Sequence, residues 1–361
     1  MTVRRLSLAA LVLILLAVGV LALFQRQIGT RVLERIADSQ VGRDTVATLP
    51  DGLNVALCGT GSPMPDPTRA GPCSAVMVGG KVFLIDSGEG SARNLSRMGI
   101  PAGRIEAIFL THFHSDHIDG LGPVLMQRWI GGTYTRPTPL FGPEGVEAVV
   151  DGFNAAYALD ATYRSAHHGP ALAPPSGRGA TASTFSAVAA AGPAGLVVYR
   201  ADGLVVTAFT VDHGPVHPSV GYRFDYAGRS AVFSGDTVAS AHLTTMARGA
   251  DLLIHEALQP SLLGAVERRL DERDLPHLAQ IMRDIVNYHA TPEQAADTAR
   301  EAGVDALVLN HLVPPQPLDY GYAAFLGDAR KHYDGPITVG EDGMLFSLPR
   351  GADTIVRKRL F

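Results

Sequence analysis

Thr111-His112-Phe113-His114-Ser115-Asp116-His117-Ile118-Asp119-Gly120 sets three histidines and two aspartates directly behind the apolar run Ile105–Leu110. Imidazole and carboxylate are the donors that a borderline cation such as zinc prefers. Ile108, Phe109 and Leu110 read as the end of a buried strand, and a strand running into a ligand-rich turn aims several side chains at one point. His112 and His114 alternate along an extended segment and so fall on one side of it. Asp116 and His117 follow once the chain has turned and face a second point nearby. The pattern predicts a site for two metal ions.

The same arrangement of strand and polar end recurs along the chain. Leu53–Leu57 reads as a first strand, turned sharply by Gly59-Thr60-Gly61-Ser62-Pro63, with a rim loop through Arg69-Ala70-Gly71-Pro72. Ser74–Val78 and Lys81–Ile85 read as a hairpin, and Asp86-Ser87-Gly88-Glu89-Gly90 opens a helix. Asp86 is read as a helix cap or a hydrogen-bond partner for loops below the site, in preference to a ligand. Leu204–Val211 leads into Asp212-His213, Ser230–Ser234 into Gly235-Asp236-Thr237, Asp251–Ile254 into His255-Glu256-Ala257, and Ala306–Leu309 into Asn310-His311. Thr291 caps a helix with Pro292 at its first position and Gly303 at its end. Strand ends gathered on one edge, with helices outside, predict an α/β fold: an αββα sandwich with the site in its groove. Residues 165–195 are dominated by Ala, Gly, Pro and Ser and are expected to form a surface loop or flap.

The N-terminus is of another kind. Arg4 and Arg5 precede Leu6–Phe24, an uncharged stretch close to the length that spans a bilayer. No small-residue cleavage site follows, so an uncleaved transmembrane signal anchor is favoured over a cleaved signal. The expected organisation is an anchor over 1–25, a tether over 26–50 and a hydrolase domain over 51–361. An anchor of this kind places the domain on the extracytoplasmic side of a membrane.

With 30 basic and 35 acidic residues, the formal charge of −5 argues against a broad nucleic-acid-binding surface. Two cysteines, Cys58 and Cys73, leave two states open: one bridge in an oxidising compartment, or two buried thiols.

Seven ligands stand out: His112, His114, Asp116, His117, His213, Asp236 and His311. His112, His114 and His213 fit one metal, and Asp116, His117 and His311 the other, with Asp236 between them. Two zinc ions held about 3.5–4 Å apart lower the pKa of a shared hydroxide and stabilise charge on an attacked centre. The same donors also accept manganese or iron.

These residues resemble the metallo-β-lactamase superfamily, and more narrowly its ribonuclease Z and arylsulfatase branch. The resemblance is carried by His112–His117, Gly235-Asp236-Thr237 and His311, and by Gly59-Thr60-Gly61-Ser62-Pro63, His255-Glu256-Ala257 and His289-Ala290-Thr291-Pro292-Glu293-Gln294-Ala295. It implies a metallo-hydrolase in which Glu256 orients His289 beside the leaving group, with Asp116 also catalytic, and it suggests a homodimer. A carboxylate-held imidazole supplies a proton to a leaving alkoxide near neutral pH.

In ribonuclease Z a long insertion that grips tRNA lies between the residues matching His213 and Asp236. Only 22 residues separate them here, and no Lys/Arg-rich cluster replaces that arm. The expected substrate is therefore a small phosphodiester or sulfate ester, with nucleic acid disfavoured as a partner. A ribonuclease Z-type tRNA 3′-processing endonuclease and a lactonase-like ester hydrolase are the alternatives.

Overall fold

The computed structural model of the chain describes residues 2–361, with side chains described from Ala9 onward. It divides into two units, Met1–Asp44 and Thr45–Phe361. The first unit is helical, with one helix over Thr2–Leu23 and another over Gln25–Gln40. Among the described residues no single helix is long and apolar enough to cross a membrane, which corrects the expected transmembrane helix. The bent pair Ala9–Leu23 and Gln25–Gln40 meets that criterion by length and composition, with a 72° angle between them. The bend falls where the apolar run meets Gln25-Arg26-Gln27, groups that a hydrocarbon interior does not solvate. Arg4 and Arg5 lie outside the residues whose side chains are described.

The second unit contains fifteen strands. These are β1 (Gly52–Gly59), β2 (Cys73–Val78), β3 (Lys81–Ile85), β4 (Ile105–Phe109), β5 (Thr138–Gly142), β6 (Ala180–Thr184), β7 (Leu196–Ala201) and β8 (Leu204–Thr210). They continue with β9 (Val220–Tyr226), β10 (Arg229–Phe233), β11 (Leu252–Leu258), β12 (Ala306–Val313), β13 (Ile337–Val339), β14 (Met344–Pro349) and β15 (Val356–Arg359). One sheet of eight runs β15-β14-β1-β2-β3-β4-β5-β6, and one of seven runs β13-β12-β11-β10-β9-β8-β7.

Alternation along the strands makes the layers. Val55, Phe83 and Phe109 of the first sheet pack against Tyr222, Phe224 and Ile254 of the second. The opposite face of the first sheet, with Ala75, Leu84 and Ile108, is covered by Leu95, Leu121 and Val150 from helices. The outer face of the second sheet is covered in the same way by Leu243, Ala296 and Phe325. The result is an αββα sandwich.

Phe109 anchors the strand that feeds the histidine cluster. It stacks on Phe141 at 4.9 Å and meets Tyr222 and Phe224 edge-on at 5.5 Å each. Truncating a phenyl group so enclosed costs about 3–5 kcal/mol.

The expected irregular segment 165–195 is partly regular. Its β6 pairs with β5 in parallel from Thr138↔Ala180 to Gly142↔Thr184. The cause is tertiary: Asn154 donates to the Ala180 carbonyl and accepts from its amide, at 2.9 and 3.0 Å, and fixes the strand's start. β15 also lies beyond the sequence reading, because its four exposed residues show no apolar alternation. Cys58 and Cys73 form a disulfide, joining the end of β1 to the start of β2.

Candidate metal centre

Strand ends bring the seven expected ligands to one edge of the sandwich. His112 follows β4, His213 follows β8, Asp236 follows β10, and His311 lies within β12. His311 is placed by an irregularity. The β11–β12 register jumps from Glu256↔Asn310 to Ala257↔Leu312, so His311 is the unpaired residue of a bulge, at φ +46°. A non-glycine residue in this conformation is held by its surroundings, and bulges commonly re-aim one side chain.

The ring nitrogens converge. His112 Nε2 and His114 Nδ1 are 3.0 Å apart, and His213 Nε2 is 3.4 Å from the same His114 nitrogen. Ligand atoms of His112, His114, His213 and Asp236 all lie within 4.8 Å of one another, as do those of Asp116, His117 and His311. Asp236 Oδ2 stands between the groups, 3.3 Å from His117 Nε2, 3.2 Å from His311 Nε2 and 3.8 Å from His213 Nε2. His289 joins Asp236 and His311 in a third such group.

The outer nitrogens are already engaged. His117 Nδ1 donates to Asp86 Oδ2 at 2.8 Å, and His213 Nδ1 donates to the Tyr288 carbonyl at 2.9 Å. Thr111 Oγ1 lies 3.1 Å from His112 Nδ1. Donation from one ring nitrogen leaves the lone pair on the other, which for His117 is a buried Nε2 with no hydrogen bond. Converging lone pairs, a buried orphan nitrogen and hard carboxylate oxygens are the donor set of a divalent cation. The residues present fit two such ions.

The electrostatics agree. Burial lowers His112, His114 and His213, keeping their rings neutral. Burial also opposes charge on His117, but Asp236, Asp86 and Asp116 outweigh it and hold that imidazole well above its usual range. Burial of Asp236 is outweighed by His311 and His117, which hold its carboxyl well below the usual range. His117 and His311 likewise overcome burial and lower Asp116. A point that retains a proton this firmly favours a cation.

A second device sits beside the ligands. Glu256 Oε1 accepts from His289 Nδ1 at 2.9 Å, from the Thr237 amide at 3.0 Å and from the Ala290 amide at 3.2 Å. One carboxylate oxygen thus ties the Asp236 turn to His289. Burial lowers the affinity of His289 for a proton, but Glu256 more than compensates and its pKa is pushed up to about 9.

Two residues support the ligands from outside. Asp86, at φ +57°, caps no helix but takes the other role expected of it, bonding the loops below the site: it accepts from the Thr111 amide and hydroxyl at 2.9 Å each and orients His117. Tyr288 carries no signal in the sequence, because its carbonyl reaches His213 across 75 positions. Glycine makes the floor possible: a Cβ on Gly88 would stand 2.2 Å from the Asp116 carbonyl, and one on Gly120 2.0 Å from that of Gly88. Of the other histidines, His255 is buried with Nδ1 donating to the Glu256 carbonyl at 2.7 Å, and His217 is exposed.

A Beta-lactamase superfamily domain is matched over residues 81–312. Ribonuclease Z of Mycobacterium avium is 39% identical over 265 residues, which cover 73% of this chain and 86% of that protein. Ribonuclease Z of Mycolicibacterium gilvum is 37% identical over 293 residues, covering 80% and 94% respectively. Among solved structures, the short form of human tRNase Z superimposes with a TM-score of 0.58 at 25% identity, covering 82% of this chain and 99% of that one. These relatives are ribonucleases, and they overturn the expectation that nucleic acid is disfavoured as a partner. They include no arylsulfatase, so the small-ester reading gives way to the ribonuclease alternative.

Proposed function

Because the chain belongs to the metallo-β-lactamase superfamily, in the branch of ribonuclease Z, we propose that this metal-dependent hydrolase cleaves phosphodiester bonds in RNA. The observation that carries the reading is the Glu256–His289 pair set against two converging groups of ligands. His112, His114 and His213 would hold one divalent ion, zinc in this reading, and Asp116, His117 and His311 the other, with the Asp236 carboxylate between the two groups. Two such ions, when bound, activate water and offset charge developing on phosphorus.

The chain's own groups do the rest. Glu256 fixes the His289 tautomer and ring direction, leaving Nε2 clear of that contact, and a ring nitrogen of His289 lies within 4.8 Å of ligand atoms of Asp236 and His311. Protonated at neutral pH, His289 gives its proton to the departing oxygen. Asp116, with one oxygen 3.3 Å from His311 Nε2, borders the open cleft and takes a proton from the attacking water. Asp86 and the Tyr288 carbonyl keep the ligand rings from rotating.

The buried Cys58–Cys73 disulfide and the apolar N-terminal stretch support an oxidising compartment beyond a membrane. Fractionation with thiol labelling tests this: a cytosolic protein with two free thiols sinks it.

The decisive assay uses the full chain with its metal content measured. Substrates are a tRNA precursor with a 3′ trailer, an unstructured RNA, bis-p-nitrophenyl phosphate and p-nitrophenyl sulfate. Cleavage of RNA and the diester, with sulfate untouched, is expected. Turnover of sulfate with RNA left intact overturns the reading.

A further inference from the structure

We propose that the edge strand β15 and the clefts beside it form the track that holds RNA. The inference rests on the RNA reading above. Its chief residues are Arg357, Lys358 and Arg359, successive and exposed on a strand at the sheet edge.

Register places them near the metal centre. Arg359 pairs with Met344, and the next residue of β14, Leu345, pairs with Ala56 of β1. Arg359 therefore lies at the same end of the sheet as the Gly59-Thr60-Gly61 turn, two strand spacings or about 10 Å across.

Three clefts join the two places. The first, about 550 Å³, is bordered by Asp116, Met64, Pro67 and Arg69. The second, about 540 Å³, shares Pro67 and Arg69 and adds Arg97, Tyr322 and Arg359. The third, about 510 Å³, shares Tyr322 and Arg359 and adds Arg330, Arg357 and Lys358. Adjacent clefts meet at Arg69 and at Tyr322, whose side chains hydrogen-bond each other at 2.8 Å, so a strand leaving the metals would pass over this pair.

Charge and aromatic surface are graded along it. The inner cleft carries Asp66, Glu89 and Asp119 beside Arg69, so the cations that would hold phosphates lie farther out. The outer clefts carry Arg97, Arg330, Arg357, Lys358 and Arg359 against Asp319 and Glu341 at the surface. Glu341 is already paired with Arg359 at 2.7 Å. Lys358 and Arg330 have no ion pair among the described residues. Tyr320 is 94% exposed next to these clefts, and Arg97 lies over the Phe361 ring at 3.7 Å. Exposed cations beside rings on which bases can stack are the makings of a single-strand site.

Charges on an edge strand also discourage edge-to-edge pairing. That role calls for neither the aromatic neighbours nor the path to the metals, and it makes no demand on RNA.

The test compares the full chain with Arg357→Gln/Lys358→Gln/Arg359→Gln and, off the strand, Arg330→Gln. RNA affinity is measured across a salt series, and rates are taken on RNA and on bis-p-nitrophenyl phosphate. The triple variant should lose about tenfold or more of its RNA rate relative to its diester rate. Its log–log salt slope should fall by about two, at roughly 0.7 per phosphate contact. An unchanged RNA-to-diester ratio and slope overturn the track. If the triple variant loses both activities together, Arg330→Gln decides, and an unchanged salt slope there overturns the track. Diester turnover by the unaltered chain without RNA binding overturns the RNA reading itself, a result distinct from either.

Discussion

Asp86 Oδ2 accepts the Nδ1 proton of His117 at 2.8 Å, in a buried contact beneath the metal centre. The same carboxylate holds Thr111, and through it the strand end from which His112 projects. The carboxylate thus acts on both ligand groups at once.

Asp86→Asn keeps the shape but removes the anionic acceptor. Metal affinity, read by competition with a chelator, should fall about 10–100-fold. Unchanged affinity would mean that the contact does not orient the ligand.

Asp236→Ala and His117→Ala should each abolish turnover while the protein stays soluble and folded. Elemental analysis of the purified variants should find less than the unaltered metal content. Retained activity in metal-verified protein would exclude the two-ion mechanism.

His289 protonation predicts a pH dependence with a definite sign. Its folded pKa, raised to about 9, lies above the unfolded value of about 6.5. The stabilisation it contributes is complete below about 6.5 and is lost as pH rises through 9. A general acid follows the same direction, so kcat/KM on RNA should decline above about pH 9. Glu256→Gln should bring that decline to lower pH.

Leaving-group dependence separates proton donation from a structural role. His289→Asn should slow a phenyl phosphodiester about 10²–10⁴-fold and a p-nitrophenyl diester much less, because the better leaving group departs without a proton. Equal losses on both would remove His289 as the acid.

The disulfide closes a loop spanning 15 positions of sequence, and Cys58→Ala/Cys73→Ala should destabilise the fold by about 3 kcal/mol. Urea unfolding measures it. The rim loop keeps a second tie in the variant, since Asp342 accepts from Thr60 and Ala70 at 2.7 Å and Asn94 donates to it at 2.7 Å.

Most strands, the layered fold and the seven candidate ligands that converge at one edge are legible in periodicity and donor chemistry, because local pattern dictates local structure. The pairing of Glu256 with His289 came only through resemblance to a family, since the two residues are 33 positions apart. Other features belong to tertiary structure alone. His311 is aimed by a bulge that depends on the register between two strands. β6 exists because a helix captures Ala180, against the propensity of an Ala- and Gly-rich segment. The basic surface has the same origin: Arg97, Arg330 and Arg357 lie far apart in sequence, and strand order and register bring them to one edge. Sequence determines which chemistry a residue can perform; contacts between distant segments determine where that chemistry is assembled.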